Sequence, residues 1–304
     1  MLWSMAALNA ELNDKLQNTA NNDQVLIMSF IAPDSVVRTS PASVSYAKIR
    51  ANDLYTIEKR IKEVKDKIGE LPKNLHLVIH TPGGELYASI KIAKYLQKVF
   101  GNNIQAFVPY EAASGGTILC LTANKIVMDA ASNLTSIDPQ VRYKGQTISV
   151  TSYEQALDTF KEEYGNLKPE EIPSPYQQLG SQFDPIIAKE MSKLASDTIW
   201  VAYKILKKSQ GADKEFDLKL YRVALRLGSP DYPHSHVISV DEAKEFGLSI
   251  DESSSSLTLL MNYKAWVSAK LDEKQASHVI DIYYPNNKIK ETKENKHDKQ
   301  RKKK

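Results

Sequence analysis

Apolar residues recur along this chain in two rhythms. Val25-Leu-Ile-Met-Ser-Phe-Ile31 is an unbroken run of mostly β-branched and aromatic residues bounded by polar segments, the pattern of a buried strand. From Ala51 to Gly69 the apolar positions Leu54, Ile57, Ile61, Val64 and Ile68 step by 3, 4, 3 and 4, which predicts an amphipathic helix ended by Gly69. Leu75-His-Leu-Val-Ile79 predicts another strand, Leu86, Ile90, Ala93, Tyr95, Leu96 and Val99 another helix, and Ile104-Gln-Ala-Phe-Val108 a third strand.

Strand, helix, strand, helix, strand in that order predicts an α/β fold of repeated βαβ units, with a mostly parallel sheet flanked by helices. Ligands of such folds gather at the carboxyl ends of the strands. Two glycine pairs, Gly83-Gly84 and Gly115-Gly116, stand just beyond predicted strands. Further on, Lys125 to Asp129 reads as a short strand, and residues 151–165 and 183–210 read as helices. Ser239-Val-Asp-Glu242 is a capping box whose helix stops at Gly247. After a loop, Asp251 to Ser256, comes a last helix and then the alternating run His278-Val-Ile-Asp-Ile-Tyr283. The expected organisation is an N-terminal polar, helical segment (1–24), one large domain (25–284) and a Lys-rich disordered tail (285–304).

Composition narrows this reading. Among 304 residues, 42% are hydrophobic and 25% charged, which fits a globular protein and excludes disordered and fibrous classes. The net charge of +3 hints at nucleic acid, but it is unevenly spread. Residues 285–304 hold nine Lys or Arg against three Asp or Glu, a net of +6; the total of 40 basic and 37 acidic residues then leaves 31 and 34 elsewhere, a net of −3. A mildly acidic body is not expected to bind nucleic acid, which leaves only possible contacts of the tail. A single cysteine, Cys120, allows no internal disulfide, so a cytoplasmic location is expected. Neither a signal peptide nor an integral membrane segment is expected.

The chemistry concentrates around one serine. In Ala112-Ala-Ser114-Gly-Gly-Thr117, small residues surround a Ser placed on the turn between a strand and a helix. A nucleophile on such a turn needs small neighbours, because the backbone is sharply bent and the substrate must come close. The turn aims the N–H of Gly115 at the same space, and Thr81-Pro-Gly-Gly84 offers a second set of N–H donors. Two donors from separate loops beside one hydroxyl suit acyl transfer.

Ile79-His-Thr-Pro-Gly-Gly84, Pro109-Tyr-Glu-Ala-Ala-Ser-Gly-Gly-Thr117, Asn124-Lys-Ile-Val-Met-Asp129 and Ile137-Asp-Pro-Gln140, in that order, resemble the Clp-fold serine proteases, most closely the serine dehydrogenase proteinase family. ClpP peptidases and signal peptide peptidase A are its relatives. The resemblance covers about residues 25–250 and implies a ClpP/crotonase-like fold, Ser114 as nucleophile, and an oxyanion hole built from Gly83 or Gly84 with Gly115. That family more often reads S-A-G-T after the serine, so Gly115 is a departure that still leaves its N–H in place.

The base is open at this level, because ClpP's His has no counterpart near Ile137-Asp-Pro-Gln140. His234 resembles a His placed before the closing helix of the serine dehydrogenase proteinases, with Asp138 to orient it. A Ser–Lys dyad would need Lys144, Lys161 or Lys168, whereas His80 sits beside the Thr-Pro-Gly-Gly turn and His236 reads as a solvated neighbour. His76 and His80 read as structural, so no metal and no cofactor are expected. Cys120 reads as a core residue.

The implied function is an intracellular serine endopeptidase that binds peptides or unfolded segments in extended form through main-chain pairing. With no P-loop in the sequence, ATP-dependent unfolding would fall to a partner. A crotonase-like acyl-CoA enzyme and a non-catalytic peptide-binding or assembly module of the same fold are the alternatives. A homo-oligomer is expected, its contacts supplied by segments after Asp138.

Overall fold

In the computed structural model, residues 5–32, 37–40, 43–45, 48–212, 215–228, 234, 236–271 and 278–285 are described. The Lys-rich segment from residue 286 lies outside them. The chain opens with helix α1 (Met5–Asp23), which turns Leu12, Leu16 and Ala20 inward at steps of four, then enters strand β1 (Val25–Ile31), buried on both faces. The short strands β2 (Val37–Ser40) and β3 (Ser43–Ser45) pair with each other.

Helix α2 (Ala51–Ile68) buries Ile57, Ile61 and Val64, three of the residues whose spacing predicted it, and ends at Gly69 with φ of +82°. Burying side chains of this size stabilises by about 1.5–3 kcal/mol each. Strand β4 (Asn74–His80) follows, then helix α3 (Leu86–Phe100), strand β5 (Ile104–Phe107), the two-residue strand β6 (Glu111–Ala112), helix α4 (Gly115–Cys120) and strand β7 (Lys125–Val127). The parallel order β1-β4-β5-β7 confirms the βαβ reading, with Val25 opposite Asn74, Leu75 opposite Ile104 and Gln105 opposite Lys125.

Strand β8 (Asn133–Thr135) lies parallel to β6 in a smaller sheet, and the hairpin of β9 (Gln140–Tyr143) and β10 (Gln146–Ser149) leads into α5 (Val150–Tyr164). Helices α6 (Ser174–Gly180), α7 (Pro185–Ser209) and α8 (Leu218–Leu227) continue the chain. Strand β11 (Val237–Ile238) joins β8, and α9 (Val240–Phe246) opens with the expected capping box and stops at Gly247 with φ of +96°. Helix α10 (Ser254–Leu271) contributes Tyr263 and Trp266 to a second core layer, which also holds Leu16 and Ala20 of α1.

The last described strand, β12 (Ile282–Tyr283), runs antiparallel to β1 and closes that edge of the main sheet. His76 sits in the second layer, its Nδ1 2.8 Å from the Tyr263 hydroxyl, and burial pushes its pKa down to about 4. Cys120 is fully buried, and burial pushes its thiol pKa up. Among the described residues no helix is long and apolar enough to cross a membrane.

Candidate active site

Ser114 occupies the turn between β6 and α4 with φ of +48° and ψ of −107°, a backbone conformation that L residues other than glycine rarely adopt. Such a conformation costs on the order of 1–3 kcal/mol and persists only where the surroundings enforce it. Here the Ser114 N–H donates to Thr135 Oγ1 at 2.9 Å and the Gly116 N–H to the Ala113 carbonyl at 2.7 Å. The Thr117 hydroxyl, 2.8 Å from the carbonyl oxygens of both Ala112 and Thr135, ties the start of α4 to β8. The Ser114 hydroxyl itself makes no hydrogen bond among the described residues and faces a cavity of about 380 Å³.

The Thr81-Pro-Gly-Gly84 turn follows β4 and packs directly on this elbow. A Cβ on Gly83 would fall 2.7 Å from the Ala113 carbonyl oxygen, and one on Gly84 would fall 2.2 Å from the Ile49 nitrogen, so backbone passes against backbone at both positions. The Gly83 N–H is engaged by Thr81 Oγ1 at 3.1 Å, while the Gly83 carbonyl accepts from Ile49. The N–H groups of Gly84 and Gly115, by contrast, find no acceptor among the described residues, and both residues line the cavity beside Ser114.

Asp138 and His234 line the same cavity. Asp138 is 1% exposed, fixed by its own N–H on Ser136 Oγ and by the Thr151 N–H on its Oδ1, and its Oδ2 lies 3.9 Å from His234 Nδ1. Burial depresses the His234 pKa; the Asp138 charge and backbone carbonyl pull it partly back up.

The other candidates lie elsewhere. Lys144 reaches the Gln182 carbonyl, Lys161 pairs with Asp158 on α5, and Lys168 is exposed; none lines the cavity. His80 packs edge-on against Tyr110 and does not line the cavity. His236, read from sequence as a solvated neighbour, holds Glu242 at 2.9 Å, because the capping carboxylate at the start of α9 comes back over the loop. Among the described residues no cluster of His, Cys, Asp or Glu is arranged to hold a metal ion.

Three cavity residues escaped the sequence reading. Lys48, Arg50 and Arg142 line it together with Glu85, and these three cations have no ion-pair partner among the described residues. They come from two segments far apart in sequence, so no local motif announces them.

Residues 42–163 match the family described as ClpP-like SDH-type serine proteinase, which bears out the resemblance carried by the Thr-Pro-Gly-Gly and Ser-Gly-Gly motifs. Two uncharacterized proteins of Methanocaldococcus jannaschii are similar. One is 29% identical over 194 residues, covering 62% of this chain and 58% of the relative; the other is 28% identical over 179 residues, covering 58% and 52%. This chain therefore spans little more than half the length of these relatives. A solved mutant of the 1510-N membrane-bound stomatin-specific protease aligns with 76% of this chain and 89% of its own at 14% identity and a TM-score of 0.43.

Proposed function

We propose that this protein is a serine peptidase that cleaves peptides or unfolded segments through an acyl-enzyme on Ser114. The matched family is one of serine proteinases. The observation that carries the reading is the strained Ser114 elbow, set between the unengaged N–H groups of Gly84 and Gly115 over a cavity that also holds a His–Asp pair.

In the proposed reaction His234 takes the Ser114 hydroxyl proton as the oxygen bonds to the scissile carbonyl carbon, and Asp138 orients the imidazole and offsets its charge. The carbonyl oxygen becomes an oxyanion held by the N–H groups of Gly84 and Gly115; each such donor contributes about 3–4 kcal/mol in comparable sites. Collapse breaks the C–N bond, the proton passes from His234 to the leaving amine, and water repeats the sequence to release the acid. Gly83 is left out of the hole because Thr81 already holds its N–H.

The substrate lies extended along β9, whose Gln140, Val141 and Arg142 line the cavity and which pairs on one side only among the described residues. Lys48, Arg50 and Arg142 outnumber the two carboxylates there, Glu85 and the His234-facing Asp138, which favours acidic side chains beside the scissile bond. The exposed Tyr176, Leu179 and Ile186, all after Asp138, support self-association into a homo-oligomer, and the buried Cys120 fits a cytoplasmic setting.

A fluorophosphonate probe tests the reading directly. It should label the wild-type protein at Ser114 and leave a folded Ser114→Ala variant unlabelled. Equal labelling of both would move the nucleophile to another residue, and none of either would leave a binding or assembly module.

A further inference from the structure

A second His–Asp pair lies behind the cavity, outside the proposed catalytic groups. His278, just before β12, is fully buried with its ring stacked on Phe30 at 4.1 Å between centroids. Its Nδ1 is 3.3 Å from Asp53 Oδ2, and its Nε2 is 2.9 Å from Thr81 Oγ1. Asp53 Oδ2 also accepts the Arg50 N–H at 2.9 Å, and Thr81 Oγ1 accepts the Gly83 N–H at 3.1 Å.

His278 Nδ1 meets Asp53 as a close polar contact rather than an aligned hydrogen bond, and one proton arrangement fits all the contacts best. With the ring proton on Nδ1, directed toward Asp53, the free Nε2 accepts the Thr81 hydroxyl proton, and the Thr81 oxygen keeps a lone pair for the Gly83 N–H. The reverse tautomer places an acceptor against the Asp53 carboxylate and leaves the Thr81 hydroxyl proton without an acceptor among the described residues.

We infer that Asp53, His278 and Thr81 form a positioning relay that fixes the Gly83-Gly84 turn and so aims the Gly84 N–H at the oxyanion. Gly83 has φ of +91°; Thr81 holds its N–H and Ile49 donates to its carbonyl at 2.9 Å, so the peptide carrying the Gly84 N–H is oriented by the Thr81 bond on one side of Gly83 and the Ile49 bond on the other. The relay makes the C-terminal segment part of the active-site scaffold. That segment is anchored to β1 by reciprocal Ile31 and Val279 bonds and by Ser29 bonds to Asp281, so His278 reaches across the sheet edge to the end of β4 from a seated strand. The groups involved are positioning residues: Thr81 is fully buried, and His278 and Asp53 do not line the cavity.

The inference rests on the reading of Ser114 as nucleophile, and two readouts separate failure of one from failure of the other. His278→Phe keeps the stacking on Phe30 and removes both polar links; Thr81→Val removes the acceptor for Gly83 while conserving shape. In folded variants, fluorophosphonate labelling of Ser114 should slow about ten- to a hundredfold, because a small misplacement of a catalytic donor costs that much. Deuterium uptake at Gly83, whose N–H bonds Thr81, should accelerate at least about tenfold, and combining the two substitutions should add little to either alone, as members of one chain do. His278→Gln, which keeps an amide in reach of Thr81, should recover part of the labelling rate, whereas a purely structural role would not distinguish Gln from Phe. If uptake at Gly83 is unchanged in folded His278→Phe and Thr81→Val, the relay is overturned. If wild-type Ser114 fails to label while the Gly83 amide does loosen, the nucleophile reading falls and the relay stands.

Discussion

Asp138 Oδ2 faces His234 Nδ1 across 3.9 Å, too far for a hydrogen bond and close enough for the charge to act, and neither atom has another hydrogen-bond partner among the described residues. Burial favours the neutral imidazole, the form able to take a proton from Ser114. Labelling of Ser114 should therefore fall only as pH drops below the ordinary histidine value of about 6.5. In Asp138→Asn the charge that holds the imidazolium is lost, so the midpoint should move to still lower pH. His234→Ala should slow labelling by about a hundredfold or more at neutral pH. The pH dependence of the labelling rate in the three proteins measures this, and a midpoint that ignores both substitutions would assign the base to another group.

Gly115 stands where the resemblance to the serine dehydrogenase proteinases leads one to expect alanine, and Ser89 leaves no room for that methyl group. A Cβ on Gly115 would fall 2.3 Å from Ser89 Oγ, which is buried and donates to the Glu85 carbonyl at 3.0 Å. We expect Gly115→Ala alone to lower stability by about 1–3 kcal/mol through overpacking and to slow labelling. Adding Ser89→Gly should recover much of both losses, with a coupling above about 0.5 kcal/mol in denaturant titrations of the four proteins. Additive effects would place the cost of Gly115→Ala elsewhere.

The βαβ frame, the helix ending at Gly69, the capping box at Ser239 and the turns around Gly83 and Ser114 were legible because each is written in a few consecutive residues. Hydrophobic period, a capping pair and glycine all act over one or two turns of chain. His278 and Thr81 are 197 positions apart and meet only because β12 pairs with β1 and β1 with β4, a register that no local pattern encodes. The cations escaped for a similar reason. Lys48 and Arg50 border the Thr-Pro-Gly-Gly turn through the Ile49 bridge to Gly84, while Arg142 arrives on the hairpin after Asp138. The choice between the two glycines of the first pair depended on a single bond, from the Gly83 N–H to Thr81, that only coordinates display.

The cationic lining predicts a charge preference. Quenched peptides with Asp or Glu near the scissile bond should be cleaved with higher kcat/KM than their Gln or Lys counterparts, and the advantage should shrink as salt rises, since exposed charges are screened over about 8–10 Å at ordinary ionic strength. Arg142→Glu should reduce cleavage of acidic peptides while leaving fluorophosphonate labelling of Ser114 within about twofold of the wild-type rate, because Arg142 sits on the hairpin rather than on the elbow. Binding of acidic and neutral peptides to Ser114→Ala by fluorescence anisotropy gives the same comparison without turnover. Equal binding would leave these cations without a part in specificity.

The backbone at Ser114 allows a stability test of the elbow itself. At φ of +48° and ψ of −107° a Cβ is a burden, and the hydroxyl returns nothing by hydrogen bonding to the described residues. Ser114→Ala keeps the Cβ and should leave stability within about 0.5 kcal/mol of the wild type. Ser114→Gly removes the Cβ; relief of strain worth about 1–3 kcal/mol is partly offset by the greater freedom of glycine in the unfolded chain, about 0.5–1 kcal/mol. The glycine variant should therefore be more stable than both wild type and Ser114→Ala in urea titrations, yet inert to the probe. A strained conformation that a glycine would relieve, retained at a serine that shares its cavity with Gly84 and Gly115, is expected where geometry serves chemistry. A glycine variant less stable than the alanine one would show that the elbow is not strained.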